Sequence, residues 1–571
     1  MSDPKKPLSD VERIKSASGH LRGTLVEGLA DEPTGALSED DTQLTKFHGI
    51  YQQDDRDLRN ERRAQKLEPA YSFMIRARVP AGDCTPAQWL AMDALARSHA
   101  NGTLRITTRQ AFQFHGVIKR RLKETMAGIN ASLLDTLAAC GDVNRNVMCS
   151  PNPELSEVHA EAADWARRLS DHLTPRTSAY HEIWLDGEKQ TDAPDVEPIY
   201  GATYLPRKFK IGVVVPPQND VDIYTQDLGF IAITENGRLS GFNVAIGGGM
   251  GMSHGEPETY PRLADVIGYC QVEDVLQVAE QVVILQRDHG DRTNRKHARL
   301  KYTIDEMGLA AFVTRLNERL GFELAPARAF QFTDNGDRYG WTRGANGRSH
   351  LTLYIPSGRV ADVGDRRLMT GLRRIAEIHA GEFRLTPNQN VIVADVEEDG
   401  KAAIDALVSG HGLNHERSAS SLRLASLSCV AFPTCGLAMA ESERYLPDLL
   451  SRIENLLDEN NLADVPITLR MTGCPNGCAR PYVSEIGLIG KGPGRYNLHL
   501  GGGHAGERLN RPWRENVDEA GILDTLAPLL AAFGAEREDD EHFGDFLIRS
   551  GAIAPATPGL GYQSFAETPS G

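Results

Sequence analysis

Leu104-Arg105-Ile106-Thr107-Thr108-Arg109-Gln110 returns 279 residues later as Phe383-Arg384-Leu385-Thr386-Pro387-Asn388-Gln389. A second match stands upstream of each copy, Val79-Pro80-Ala81-Gly82 against Ile355-Pro356-Ser357-Gly358. In the first copy Phe73, Ile75, Ala77 and Val79 alternate with Met74, Arg76 and Arg78. This is the period-two pattern of a half-buried strand presenting two arginines. Thr85-Pro86-Ala87-Gln88 then has the chemistry of a helix start, with Thr85 as N-cap, Pro86 in the first turn and Gln88 closing a capping box. A second strand is expected near 104–114, so each copy reads as half of a small α+β domain. Another pair flanks these: Phe242 to Gly249 resembles Tyr496 to Gly503 at an offset of 254, and both read as short strands ending in a glycine loop. The fold class is therefore α+β with a pseudo-two-fold duplication, half-domain plus larger domain, twice.

Cys429 and Cys435 form Cys-x5-Cys, and Cys474 and Cys478 form Cys-x3-Cys in Thr472-Gly473-Cys474-Pro475-Asn476-Gly477-Cys478. Thiolates are soft ligands suited to iron–sulfur clusters or zinc, and four of them from two short loops can enclose one cluster. Structural zinc sites more often use Cys-x2-Cys pairs, so the spacing favours a cluster over zinc or buried free thiols. Pro475 and Gly477 permit a tight arch and a close backbone approach by a large flat cofactor. The repeated glycine loops suggest such an approach too. Gly501-x-Gly503-x-x-Gly506 has the spacing of a dinucleotide fingerprint, but Pro512 follows and no amphipathic helix begins there, which argues against nicotinamide binding.

With 571 residues, 40% hydrophobic and 25% charged, the chain can bury several cores. Eight cysteines in that length make no disulfide framework, and Cys84, Cys140, Cys149 and Cys270 read as isolated buried residues. Neither a membrane-length apolar run nor a signal-peptide core is apparent, so a cytoplasmic location is expected. A formal charge of −16 argues against nucleic acid or an anionic membrane as partner. Local basic patches stand out against it: Arg207-Lys208-Phe209-Lys210, and Arg287 to Lys301 with six Lys/Arg. Solvated faces are the alternative reading of both.

Gly473-Cys474-x3-Cys478-x6-Glu485-Ile486-Gly487-Leu488 resembles the signature of the siroheme and [4Fe–4S] sulfite and nitrite reductases, most closely their NADPH-dependent assimilatory sulfite-reducing branch. Supporting segments are Phe47-His48-Gly49-x-Tyr51-Gln52-Gln53-Asp54-Asp55-Arg56-Asp57, Asn144-Arg145-Asn146-Val147, Tyr204 to Lys210, and Cys429-x3-Pro433-Thr434-Cys435. The resemblance implies that all four cysteines hold one [4Fe–4S] cluster and that Cys478 also ligates the iron of one siroheme. It implies that Arg76, Arg145, Lys208 and Lys210 bind the sulfite oxygens. Arg105, Arg109, Arg295, Lys296, Arg299 and Lys301 would neutralise siroheme carboxylates, and His115 would touch the cofactor unless it is a hydrogen-bonded core histidine. The implied reaction is six-electron reduction of sulfite to hydrogen sulfide in sulfate assimilation and cysteine biosynthesis, with siroheme nitrite reduction as the alternative. Electrons would come from a flavoprotein (alpha) reductase subunit carrying FAD and FMN and using NADPH.

Duplication, composition and resemblance together set expected boundaries, the Pro-, Gly- and Ser-rich tail lying outside the resemblance. Residues 1–65 would be a mobile partner-docking segment, 66–140 and 341–415 two ferredoxin-like half-domains forming one small domain, and 141–340 a siroheme-binding α+β domain. Residues 416–555 would carry the cluster and the siroheme ligand, with 556–571 a disordered tail.

Overall fold

The computed structural model describes residues 6–151, 155–176, 184–185, 188–189, 197–414 and 417–565. Four five-stranded sheets carry the duplication. The first small sheet runs Ile50–Asp54, Tyr71–Ala77, Phe112–Val117, Leu104–Ile106, Arg359–Val360, and the second repeats that order with Gly340–Arg343, Ser349–Leu353, Val391–Val396, Glu382–Leu385, Asp83–Cys84. The edge strands are exchanged: Asp83–Cys84 pairs with the second copy and Arg359–Val360 with the first. The half-domains consequently share one core, in which Trp89 stacks on Phe383 with ring centroids 4.8 Å apart.

The matched sequence segments owe their likeness to this exchange. Gly82 and Gly358 have φ of +81° and +71°, and a Cβ on either would lie 2.4 Å from Leu385 O or 2.1 Å from Ile106 O of the other copy. Only glycine fits both the left-handed backbone and the contact. Phe73, Ile75, Ala77 and Val79 are buried, but so are Met74 and Arg78 on the opposite face, where Arg78 pairs with Asp135 at 2.8 Å; Pro86–His99 is a helix opened by the Thr85/Gln88 capping box.

The larger sheets repeat as well. One runs Met148–Cys149, Ile211–Val214, Leu228–Glu235, Arg238–Ile246, Asp265–Gln271; the other runs Ser426–Ser428, Leu469–Thr472, Ile486–Gly492, Arg495–Leu500, Arg511–Val517. In each, the first three strands are parallel and the last two antiparallel. Ile211–Val214 and Leu469–Thr472 are wholly buried, as expected of parallel strands covered on both faces. Asp222 and Arg480 occupy equivalent left-handed positions, φ +47° and +56°, before the short turns Ile223–Thr225 and Pro481–Val483. They pair with each other, and Arg470 adds a 2.6 Å contact to Asp222, so a buried Arg–Asp–Arg triad joins the two halves.

Three expectations are corrected. The amino-terminal segment does not stand apart: Ile50–Asp54 is a strand of the first sheet, and the helix Asp10–Ala17 buries Glu12, Ile14 and Lys15. Lys15 bonds Glu12 and donates to Leu205 O at 2.9 Å, while Arg292 reaches Glu12 at 2.6 Å, so these charges are paired internally. The tail to residue 565 is packed, with Tyr562 buried and bonded to Asn510 Oδ1 at 3.0 Å; residues 566–571 lie outside the described residues. The paired glycine loops approach protein, not open space. A Cβ at Gly248 would meet Tyr224 O at 2.2 Å, and one at Gly502 would meet Ser484 O at 2.2 Å.

Candidate active site

Ser426–Ser428 and Leu469–Thr472 are parallel neighbours, so the loops leaving their carboxy ends emerge side by side. Cys429 begins the first loop, and Cys474 and Cys478 lie on the second. The loops are stitched together by Gly473 N donating to Cys429 Sγ at 3.2 Å, and Asn476 Nδ2 lies 3.6 Å from Cys474 Sγ. Arg56 braces the loop around Cys435: Nη1 reaches the carbonyls of Cys435, Gly436 and Ala438 at 3.2, 3.3 and 3.3 Å, and the guanidinium lies over Phe432, 4.9 Å from the ring centre. Cys474 is buried, Cys429 and Cys435 are half-buried, and Cys478 is exposed.

Burial, then the charge of Cys478, pushes Cys429 and Cys474 each up to about 12. Burial alone thus disfavours these thiolates, and a bound metal ion would favour them. Among the described residues no three of the four sulfurs lie within 4.8 Å of one another.

Cations gather toward Cys478. The Arg76 side chain, on Tyr71–Ala77, donates to Cys140 Sγ at 3.2 Å, and its Nε is buried without a partner among the described residues. Arg145 is fixed by Nε and Nη2 bonds of 3.0 and 2.8 Å to Gly141 O. Lys208 and Lys210 stand on the face opposite buried Phe209 and Ile211, as their alternation requires, and their ammonium groups have no protein partner among the described residues. Burial first, then Arg207 and Arg299, lowers Lys208 to about 7, while Cys478 opposes the shift. Burial and Lys208 hold Lys210 well below its ordinary value, and burial with Arg295 lowers Arg207 to about 10. Cations penalised this way are stabilised when an anion binds beside them.

The other sequence-named residues divide. Arg109 bonds Gln226 Oε1 at 2.9 Å and Ile211 O at 3.1 Å, yet its Nε is buried and unpartnered, and burial with Arg145 lowers it to about 9. Arg105 is engaged by Ser357 O at 3.0 Å, Ser428 O at 3.0 Å and Glu443 at 3.2 Å. Arg295 is bidentate on Asp142 at 2.7 and 2.8 Å, and Arg299 on Asp227 at 3.1 and 2.8 Å. Lys301 is caged by the carbonyls of Gly249, Gly251 and Tyr260, and Lys296 pairs with Glu256 at the surface. His115 is fully buried, 3.4 Å from Arg359, with its Nε2 unpartnered among the described residues; burial, then Arg359 and Arg105, holds it neutral.

Sequence reading left Arg56, Arg207, Tyr51 and Cys140 without roles. The first three stand inside the quoted segments, which is the signal that could have found them; Cys140 carried none. Glu485, His504 and His542 also bring ligand atoms within 4.8 Å, but the imidazoles stack 3.7 Å apart at 3°, with parallel lone pairs. Glu485 already accepts from Thr468 N and Gly544 N at 2.7 and 2.9 Å, so this is a buried ion pair with His504.

Residues 65–132 and 343–409 both match the family described as the nitrite/sulfite reductase ferredoxin-like half domain, and 164–324 match its nitrite and sulphite reductase 4Fe-4S domain. The fold is thus that of the nitrite and sulfite reductases. The "Sulfite reductase [NADPH] hemoprotein beta-component" of Anoxybacillus flavithermus is 60% identical over 565 residues, covering 99% of each chain, and that of Myxococcus xanthus is 61% identical over 553 residues, covering 97% of this chain and 98% of the relative. The NirA protein of Mycobacterium tuberculosis superposes with a TM-score of 0.77 at 25% identity, covering 95% of this chain and 97% of that one. The chain belongs to the sulfite reductase [NADPH] hemoprotein beta-component family.

Proposed function

We propose that this chain reduces sulfite to sulfide, six electrons per turnover, using one siroheme and one [4Fe–4S] cluster held by Cys429, Cys435, Cys474 and Cys478, with Cys478 shared between the two. The reading is carried by the half-buried side chains of Arg207, Lys208 and Lys210, which have no hydrogen-bond partner among the described residues, and by Arg76, with Arg76 and Lys208 feeling the charge of exposed Cys478. The thiol set, the unpartnered Nε atoms of Arg76 and Arg109, and the depressed lysines fit a polycarboxylate macrocycle and a small oxyanion better than a neutral ligand. When bound, the paired iron centres supply one-electron transfer and an open coordination position.

The side chains do the rest. Arg76 and Arg145 present fixed donors that hold the oxyanion. Lys208, with its proton affinity brought to about 7, can deliver a proton at Nζ as an oxygen leaves as water and recover it from solvent near neutral pH. Lys210 beside it adds charge that is strengthened when an anion enters. No flavin or nicotinamide motif is apparent in the sequence, so the electrons are assigned to an NADPH-dependent flavoprotein alpha subunit with FAD and FMN, in the cytoplasm. Among the described residues no helix is long and apolar enough to cross a membrane. Anaerobic turnover with a chemical reductant, sulfite and nitrite compared side by side, tests the reading: a larger kcat/KM for sulfite supports it, and a larger value for nitrite would replace it with the nitrite enzyme.

A further inference from the structure

The loop 140–145 has a position that its sequence does not advertise. Arg76 comes from a strand of the first small sheet and Arg145 from the loop that enters the larger unit, yet both guanidinium groups are anchored on adjacent residues. Arg76 Nη1 bonds the sulfur of Cys140 at 3.2 Å, and Arg145 grips the carbonyl of Gly141 at 3.0 and 2.8 Å. Cys140 is fully buried. It is also the only hydrogen-bond partner of the Arg76 side chain among the described residues, because the Nε is unpartnered. Gly141 is locked in turn: its φ is +89°, and a Cβ there would lie 2.8 Å from the Phe47 ring. The next residue, Asp142, is held bidentately by Arg295, while Leu205 N bonds Asp142 O at 3.0 Å and Arg145 N bonds Phe209 O at 2.9 Å. The dipeptide therefore sits in a frame that also fixes the segment carrying Lys208 and Lys210.

We propose that Cys140 is a positioning residue of the anion pocket: its sulfur is the acceptor that aims the Arg76 guanidinium at the oxyanion, in register with Arg145 held by the neighbouring carbonyl. The inference rests on the anion-pocket reading above. A sulfur suits the task because it is a weak, polarisable acceptor. It orients the guanidinium without neutralising it, as a carboxylate would, and leaves the Nε and the outer nitrogen for the substrate. An arginine stem has several rotatable bonds, so without an acceptor the head samples positions that miss the ligand.

The test is a double-mutant cycle on the loaded protein, reading the sulfite dissociation constant from the change in haem absorbance, with kcat and KM beside it. Cys140→Ala should weaken sulfite binding about tenfold, the scale of one hydrogen bond to a charged group, and raise KM more than it lowers kcat. Cys140→Ser keeps an acceptor on a shorter bond and should recover most of that loss. Placed on Arg76→Ala, Cys140→Ala should add less than about twofold, because the cysteine acts only through the arginine. Additive losses, or unchanged sulfite affinity in Cys140→Ala, would overturn the proposal. If Cys140→Ala fails to load, Cys140→Val, which fills the site but removes the acceptor, carries the same comparison with and without Arg76→Ala. Unchanged affinity in Arg76→Ala itself would instead discard the pocket reading, a failure distinguishable from that of Cys140.

Discussion

Replacing Asp222 by Asn leaves Arg470 and Arg480 facing each other in the interior without their shared carboxylate. All three side chains are no more than 6% exposed. Burial alone would raise the Asp222 pKa, but Arg470 and Arg480 outweigh it and hold the carboxyl below its ordinary value. Removing one partner of a buried ionic network costs ~3–5 kcal/mol, because the remaining charge is desolvated and uncompensated. For 571 residues, an unfolding entropy of ~2.1 cal/mol/K per residue gives ~1.2 kcal/mol/K, so the thermal midpoint should fall by ~3–4 °C. The effect should also reach the metal centre. Arg480 donates to Thr108 O at 2.9 Å and Pro387 O at 3.2 Å, and Thr108 Oγ1 donates to Cys478 O at 3.0 Å, so a loosened Arg480 frees the backbone of the cysteine loop. Scanning calorimetry and the rate of iron release to a chelator measure both consequences. Because the folded pKa is depressed, the stabilisation is present above the unfolded value near ~4 and is lost as pH falls through the folded pKa, so the difference between wild type and variant should shrink in acid. A midpoint shift under ~1 °C with wild-type iron release would refute the claim that this triad holds the halves together.

Other outcomes follow from the same structure. Lys208 is held near 7 in the folded protein and ~10.4 when unfolded, so cofactor-free protein should gain stability as pH rises from 7 toward 9, and Lys208→Met should remove part of that slope in urea titrations. Truncation after residue 555 should lower the thermal midpoint and expose His499 to solvent, because Tyr562 is buried against it; an unchanged midpoint would return that tail to a dispensable extension. Lys210→Ala should cut sulfite turnover by at least ~10²-fold with the haem spectrum retained, and unchanged kinetics would place Lys210 outside the substrate pocket.

The duplication was legible because identical backbone problems recur in each half: Gly82 and Gly358 answer the same close contact, and the Thr85 capping box is a local pattern. The cysteine loops were legible for a similar reason, since spacing alone reports two short turns. The packing of the amino-terminal helix was not legible because the partners of Lys15 and Glu12, Leu205 and Arg292, are far away in the chain. The same limit applies to Arg295 and Arg299, whose charges are met by Asp142 and Asp227. Glycines at 248 and 502 signalled close approach correctly, but sequence cannot say whether backbone or cofactor is approached.

In the proposed site Cys478 belongs at once to the cluster and to the haem iron. Anaerobically purified wild-type protein and Cys478→Ser should be compared by iron content and visible absorption. About five iron atoms per wild-type chain are expected, four in the cluster and one in the haem, with siroheme bands that are lost or strongly shifted in Cys478→Ser. A Cys478→Ser protein with an unshifted siroheme spectrum, full iron content and wild-type sulfite turnover would contradict it.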